Sequence, residues 1–212
     1  MKTTTLIIFF LLINTSSLFS QENIIRSYEI YGFDKPQKVV LFEYNNGKFE
    51  GNVITELRKG KIRDGWLGRT WQNIWAKNAK EVIDVNPINE LVVKKLMSEL
   101  KENEIETIKS CWCDKECESN SHFLDAEDIY FNIKTIEIQR EYQFAGINSL
   151  NKNYKETTNL RSKAQNLVTI IYNRLDLNQR FWEVFERLPR GYYFWREGHA
   201  LANMKNRKKK KK

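Results

Sequence analysis

Hydrophobic and polar residues alternate with a period of two over several short stretches and recur with a helical period over two long ones. Ile24–Tyr31 predicts a first strand, and residues 39–44 and 49–57 predict two more. Between these lies Asn46-Gly47, a strong hairpin signal because both residues tolerate positive φ. Residues 58–68, rich in glycine and charge, read as a loop. Residues 69–79 are ambiguous, although Trp71 and Trp75, four apart, would share one helical face. Residues 82–85 predict a short strand.

Asn86-Pro87 then predicts the start of a long helix, with Asn86 as cap and Pro87 in the first turn. Its apolar stripe is Ile88, Leu91, Val92, Leu96 and Leu100, with Glu90–Lys94 and Lys95–Glu99 as charge pairs on its surface. Ile129, Phe131 and Ile133 alternate, as do Ile136, Ile138, Tyr142 and Phe144 with Arg140 between them. Together they predict a second hairpin turning near Lys134-Thr135. Residues 146–157 read as a polar loop. Leu160, Ala164, Leu167, Val168, Ile171 and Leu175 define a second long helix. Asn178 is placed to cap a short third helix carrying Phe181, Phe185 and Leu188, and Gly191–Arg196 reads as a late strand. Strands punctuated by long helices, without regular βαβ alternation, predict an α+β fold. The expected form is an antiparallel or mixed sheet built from two hairpins, with two long helices and one short helix packed on it.

The N-terminus changes the picture of where such a fold works. Met1-Lys2, the apolar run 6–13 and the small, polar run 14–20 have the form of a secretory signal peptide. The apolar run is too short to span a bilayer as a helix, so no transmembrane span is expected. Residues 1–20 are read as the signal, with cleavage after Ser20, or else after Ser17. Residues 21–204 are read as one α+β domain and 205–212 as a disordered basic tail. The expected location is secreted or periplasmic.

Charge matters only once it is located. The chain carries 35 Lys and Arg against 27 Asp and Glu, a formal net charge of +8. Lys2 and the seven cations of residues 205–212 account for the whole excess. The body is formally neutral, which does not support a broad nucleic-acid groove, and no specific nucleic-acid partner is expected.

The three cysteines are clustered as Cys111-Trp-Cys113-Asp-Lys-Glu-Cys117. In an exported chain such clustering favours a disulfide, and Cys111 with Cys117 is the preferred pair. Cys113–Cys117 would close a tighter loop, and residues 111 and 113 are too close to bridge without strain. A zinc site from the three cysteines and His122 is the alternative, but the separated C-x₂-C pairs of a strong zinc signature are missing. The acids Asp114, Glu116, Glu118, Asp125, Glu127 and Asp128 lack the spacing and glycine of a calcium loop. No metal is therefore assigned.

No P-loop, Rossmann, G-x-S-x-G or H-E-x-x-H pattern occurs, so no cofactor is expected. The two histidines, His122 and His199, make weak catalytic candidates; His122 with Asp125 is the better placed. Trp66, Trp71 and Trp75 fall in one charged, glycine-bearing stretch and are candidate binding residues, because indoles stack on sugars and anchor protein interfaces. The expected function is that of an exported, non-enzymatic binding protein of the bacterial envelope or extracellular space. Its expected partner is a protein or an envelope polymer. Two alternatives stand beside this: a carboxylate-dependent envelope hydrolase acting on glycan, and an immunity-type inhibitor of a secreted toxin.

Overall fold

The alternating stretches assemble into one antiparallel sheet with helices against one of its faces. The structure is a computed structural model and describes residues 23–60, 79–109, 128–147, 156, 158–196 and 199–203. Its strands are β1 (Ile24–Tyr31), β2 (Gln37–Tyr44), β3 (Phe49–Gly60), β4 (Lys80–Pro87), β5 (Ile129–Thr135), β6 (Gln139–Phe144), β7 (Gly191–Arg196) and β8 (His199–Asn203). The helices are α1 (Glu90–Glu102), α2 (Asn159–Leu175) and α3 (Leu177–Arg187). The sheet runs β6-β5-β1-β2-β3-β7-β8, and β4 also pairs with β3. Every described pairing is antiparallel. The chain is thus α+β, as its pattern predicts.

Strand β3 has twelve residues and outruns β2, whose pairing stops at Gln37 opposite Thr55. Beta-4 flanks β3 from Asn52 to Lys59, on the edge opposite β2. The stretch Arg58–Gly60 therefore has an open edge on the β2 side, and β7 fills it. This is why a loop reading of residues 58–68 fails at its start: residues 58–60 extend the strand because partners exist on both edges.

The inward positions are Tyr28 and Ile30 on β1, Val39 and Leu41 on β2, Val53 and Leu57 on β3, Ile129, Phe131 and Ile133 on β5, and Tyr142 and Phe144 on β6. Alpha-1 contributes Val93, Leu96, Met97 and Leu100, and α2 contributes the stripe read from the sequence, Leu160 to Leu175. A second apolar cluster joins Leu57 to Phe181, Phe185 and Tyr193, where α3 meets β7. Full burial of such a side chain stabilises by roughly 1.5–3 kcal/mol before entropy is counted.

Helix α1 begins later than its sequence predicts. Asn86 and Pro87 stay in β4, paired with Val53 and Asn52. A residue before proline prefers extended backbone, and the ladder continues to the Ile88 amide, which donates to Gly51 O at 2.8 Å. Asn89 is the cap, its side-chain oxygen accepting from the Leu91 amide at 3.0 Å. The buried stripe is accordingly Val93, Leu96, Met97 and Leu100, while Leu91 is 69 % exposed. Gly51 explains the rotation: a Cβ there would lie 2.9 Å from both Val93 Cγ2 and Leu41 Cδ2, so Val93 occupies the notch the glycine leaves. The surface pairs also differ. Glu99 feels Lys95, but its hydrogen-bonded partner is Arg174 on α2, at 2.8 Å from Nε. Glu90 accepts from the Phe49 amide.

Three smaller corrections have local causes. The β2–β3 hairpin has positive φ at Gly47 alone, +79°. The Gly47 amide donates to Tyr44 O and the Tyr44 amide to Lys48 O, a type I turn closed by a glycine bulge. The β5–β6 turn lies at Thr135–Ile138, where the Thr135 amide donates to Ile138 O and Ile136 is exposed. Alpha-3 is capped by Asp176 rather than Asn178. Asp176 sits at φ +45°, ends α2 and accepts from the Gln179 amide at 3.2 Å, so one residue turns the chain and starts the next helix. Strand β8 carried no signal read from the sequence. Residues 1–20 and 205–212 lie outside the described residues.

Two stability experiments check this packing. Leu96→Ala should cost about 2–5 kcal/mol in denaturant unfolding, and Leu91→Ala less than about 0.5. An equally large loss at Leu91 would restore the stripe expected from the sequence. Gln37 is 4 % exposed, faces Thr55, and its side-chain amide has no hydrogen-bond partner among the described residues. Gln37→Met should therefore be neutral or stabilising by up to about 1–2 kcal/mol. A loss beyond about 1 kcal/mol would show that the amide is bonded.

Candidate interaction surface

The described helices lie on one side of the sheet. Val93 of α1 meets inward Gly51, and Tyr172 of α2 packs edge-on against Phe33. Arg180 and Arg187 of α3 reach Asn86 and Asp84, the inward side of β4. The opposite side has no described helix, and the strand register lays its residues in rows. Gln143, Tyr130, Tyr31, Lys38, Ile54 and Val85 are successive cross-strand neighbours from β6 to β4. The row is aromatic at one end and aliphatic at the other. Next to Val85 on the same side of β4 stands Ile83, opposite Glu56. Ile83 and Val85 are 59 % and 56 % exposed.

The aromatic end is ordered by stacking. The Tyr31 and Tyr130 rings lie 4.8 Å apart at 7°. Each ring covers a face of the other, so the pair offers edges and hydroxyls to a partner. Burial, then the carboxylates of Glu141 and Glu29, push the Tyr31 phenol up, so it stays a hydrogen-bond donor at neutral pH. Lys38 beside it ion-pairs with Glu29. Further along β2, Phe42 and Tyr44 sit 6.4 Å apart, and the Tyr44 hydroxyl donates to Glu50 at 2.8 Å.

At the helix side, one polar cluster brings two carboxylates together. Arg26 of β1 donates through Nε to Glu106 at 2.6 Å and through Nη1 to Glu43 of β2. The Tyr28 hydroxyl donates to the same Glu106 oxygen at 2.6 Å. Burial alone would raise the Glu106 carboxyl, but the hydrogen bonds from Tyr28 and Arg26 outweigh it and hold the group below the usual carboxylate range. Burial and the Glu106 carboxylate push the Tyr28 phenol far up. Arg140 adds Nη1 to Glu106 O at 2.6 Å and Nη2 to Ile108 O at 2.7 Å, and Tyr142 donates to Ile105 O. A guanidinium shared by two carboxylates keeps Glu106 ionised, which suits a clamp on residues 105–108 rather than a general acid.

Cys111, Cys117, Trp66, Trp71 and Trp75 lie outside the described residues, as do Cys113, His122 and Asp125. His199 is placed in β8 by its backbone. Sequence reasoning missed the Arg26–Glu43–Glu106 group because its members are far apart in the chain. Arg140 was legible, since it shares the inward parity of Tyr142 and Phe144. Among the described residues, no helix is long and apolar enough to cross a membrane.

No family model matches the chain, and neither the curated proteins nor the solved structures include one significantly similar to it.

The clamp has a pH signature. A carboxylate with a lowered folded pKa contributes stability above its unfolded value, about 4.3, and loses it as pH falls through the folded value. Glu106→Gln should therefore cost about 1–2 kcal/mol at pH 7, screening included, and progressively less below about pH 4. A deficit independent of pH would show that charge plays no part.

Proposed function

We propose that this chain is an exported binding protein whose outward sheet face, which carries no helix among the described residues, docks a protein partner. The observation that carries the reading is the row Tyr130, Tyr31, Lys38, Ile54 and Val85, ending beside the exposed Ile83. Aromatic and aliphatic side chains with few charges, rimmed by Glu29, Glu56 and Glu141, make the composition of a protein contact. A protein suits this row better than a glycan. Sugar rings stack on open aromatic faces, and Tyr31 and Tyr130 each spend a face on the other. Export to the periplasm or the extracellular space rests on the signal-like residues 1–20 and belongs to the same proposal. The alternative carboxylate hydrolase gains no support from Glu43 and Glu106, which Arg26 holds as a pair.

A photo-reactive amino acid at Tyr31 or Ile54, expressed in a native host, tests the reading. Discrete adducts heavier than the chain are expected at both positions. They should be absent from Leu91, an exposed apolar residue on α1, and the adduct at Tyr31 should be lost on Ile54→Asp. Equal adducts at Leu91, or none at Tyr31 and Ile54, would remove the face from consideration.

A further inference from the structure

We propose that two copies of the chain pair through β4, antiparallel and edge to edge, about a twofold axis at Val82. Beta-4 gives one edge to β3, and no other described strand pairs with it. A strand edge with unpaired amides and carbonyls is a template for another strand unless the sequence blunts it. At the far end of the sheet, β6 presents exposed Gln139 and Glu141 on the helix-free side. Beta-4 presents Ile83 and Val85 there, more than half exposed. Of its blunting residues, Lys80, Glu81 and Pro87 stand toward its ends, and the mid-strand Asp84 is already paired with Arg187 on the helix side.

The charges along β4 argue for the occupant and narrow the register: an axis at Ile83 sets no like charges opposite but pairs no opposite ones, and only the axis at Val82 gains charge pairs. A twofold normal to the sheet keeps each copy's faces aligned and pairs residues of the same parity. An axis at Glu81 sets Glu81 against itself, and an axis at Asp84 does the same for Asp84; like charges directly opposite are destabilising. An axis at Val82 sets Lys80 against Asp84 of the second copy, twice, with Val82 against Val82 between them. Ile83 then lies opposite Glu81 and diagonal to its own counterpart. Asp84 already faces Arg187 of α3 at 3.7 Å, and Lys80 of the second copy would add a second cation on its open side. The two helix-free faces would then form one continuous surface. This pairing uses the edge of β4, not the face assigned to the partner, so either reading can fail alone.

Sedimentation equilibrium of the purified chain under reducing conditions decides, because a disulfide between copies then contributes nothing. The wild type should be dimeric below about 200 µM. Asp84→Lys and Lys80→Asp should each weaken the dimer about tenfold or more, by setting like charges opposite. The double variant, Lys80→Asp with Asp84→Lys, should regain it. Far-UV circular dichroism confirms folding, and Lys80, being exposed, provides the variant least prone to misfold. A monomer at that concentration overturns the proposal, as does a dimer indifferent to both single variants or a double variant that stays dissociated.

Discussion

The length of β3 sets the rest of the architecture. Twelve residues pair on one edge with β4 and on the other with β2 and then β7. Were β3 as short as β2, the C-terminal hairpin β7–β8 would have no described strand to join, and the Leu57–Phe181–Phe185–Tyr193 cluster would lose its sheet side. The same strand provides Gly51, the notch for Val93 that sets the rotation of α1. A single strand thus fixes which elements join the sheet and how the first helix lies on it.

Polar groups then hold the connections that apolar packing leaves loose. Arg26, Tyr28, Arg140 and Tyr142 converge on residues 105–108, just before residues 110–127 and their cysteines. At the start of α2, Arg161 is 1 % exposed, pairs with Glu156 at 2.8 Å and donates to Ala145 O at 2.8 Å. Burying such a pair costs much of what its attraction returns, whereas removing one partner strands a charge. Its consequence is geometric: it ties the end of β6 to the first turn of α2.

Most of the strands and the α2 stripe were legible because a half-buried strand or helix writes its burial as a period. The α2 pattern was nearly complete, and only Arg161, buried at the same spacing, escaped it. The errors fall where local chemistry offered two equal choices. Asn86-Pro87 reads as a helix start until β3 supplies a partner strand, and Asn89 is an equally good cap three residues on. Asp176 and Asn178 compete in the same way. The Arg26–Glu43–Glu106 cluster and the Tyr130–Tyr31 row are products of register, and no local pattern encodes register between distant strands. The residues singled out for chemistry, Cys111, Cys117, Trp66, Trp71 and Trp75, stood out by rarity, and rarity says nothing of position in a sheet.

Acid–base catalysis by paired carboxylates needs environments that push one group up and leave the other ionised. The Arg26 cluster does the opposite for Glu106, where hydrogen bonds from Tyr28 and Arg26 overcome burial. Tyr28 and Tyr142 have their phenols pushed up by burial and their hydroxyls committed to Glu106 and Ile105 O. Groups so committed fix a loop and have no proton to exchange near neutrality. The face with no described helix is the converse case. Its apolar residues are partly exposed, and among the described residues Ile83, Val85, Tyr31 and Tyr130 stand outside the apolar core. Residues with no internal role, gathered by register into one row, are what an intermolecular contact requires. That contrast between committed and uncommitted side chains is the ground on which the proposed binding role rests.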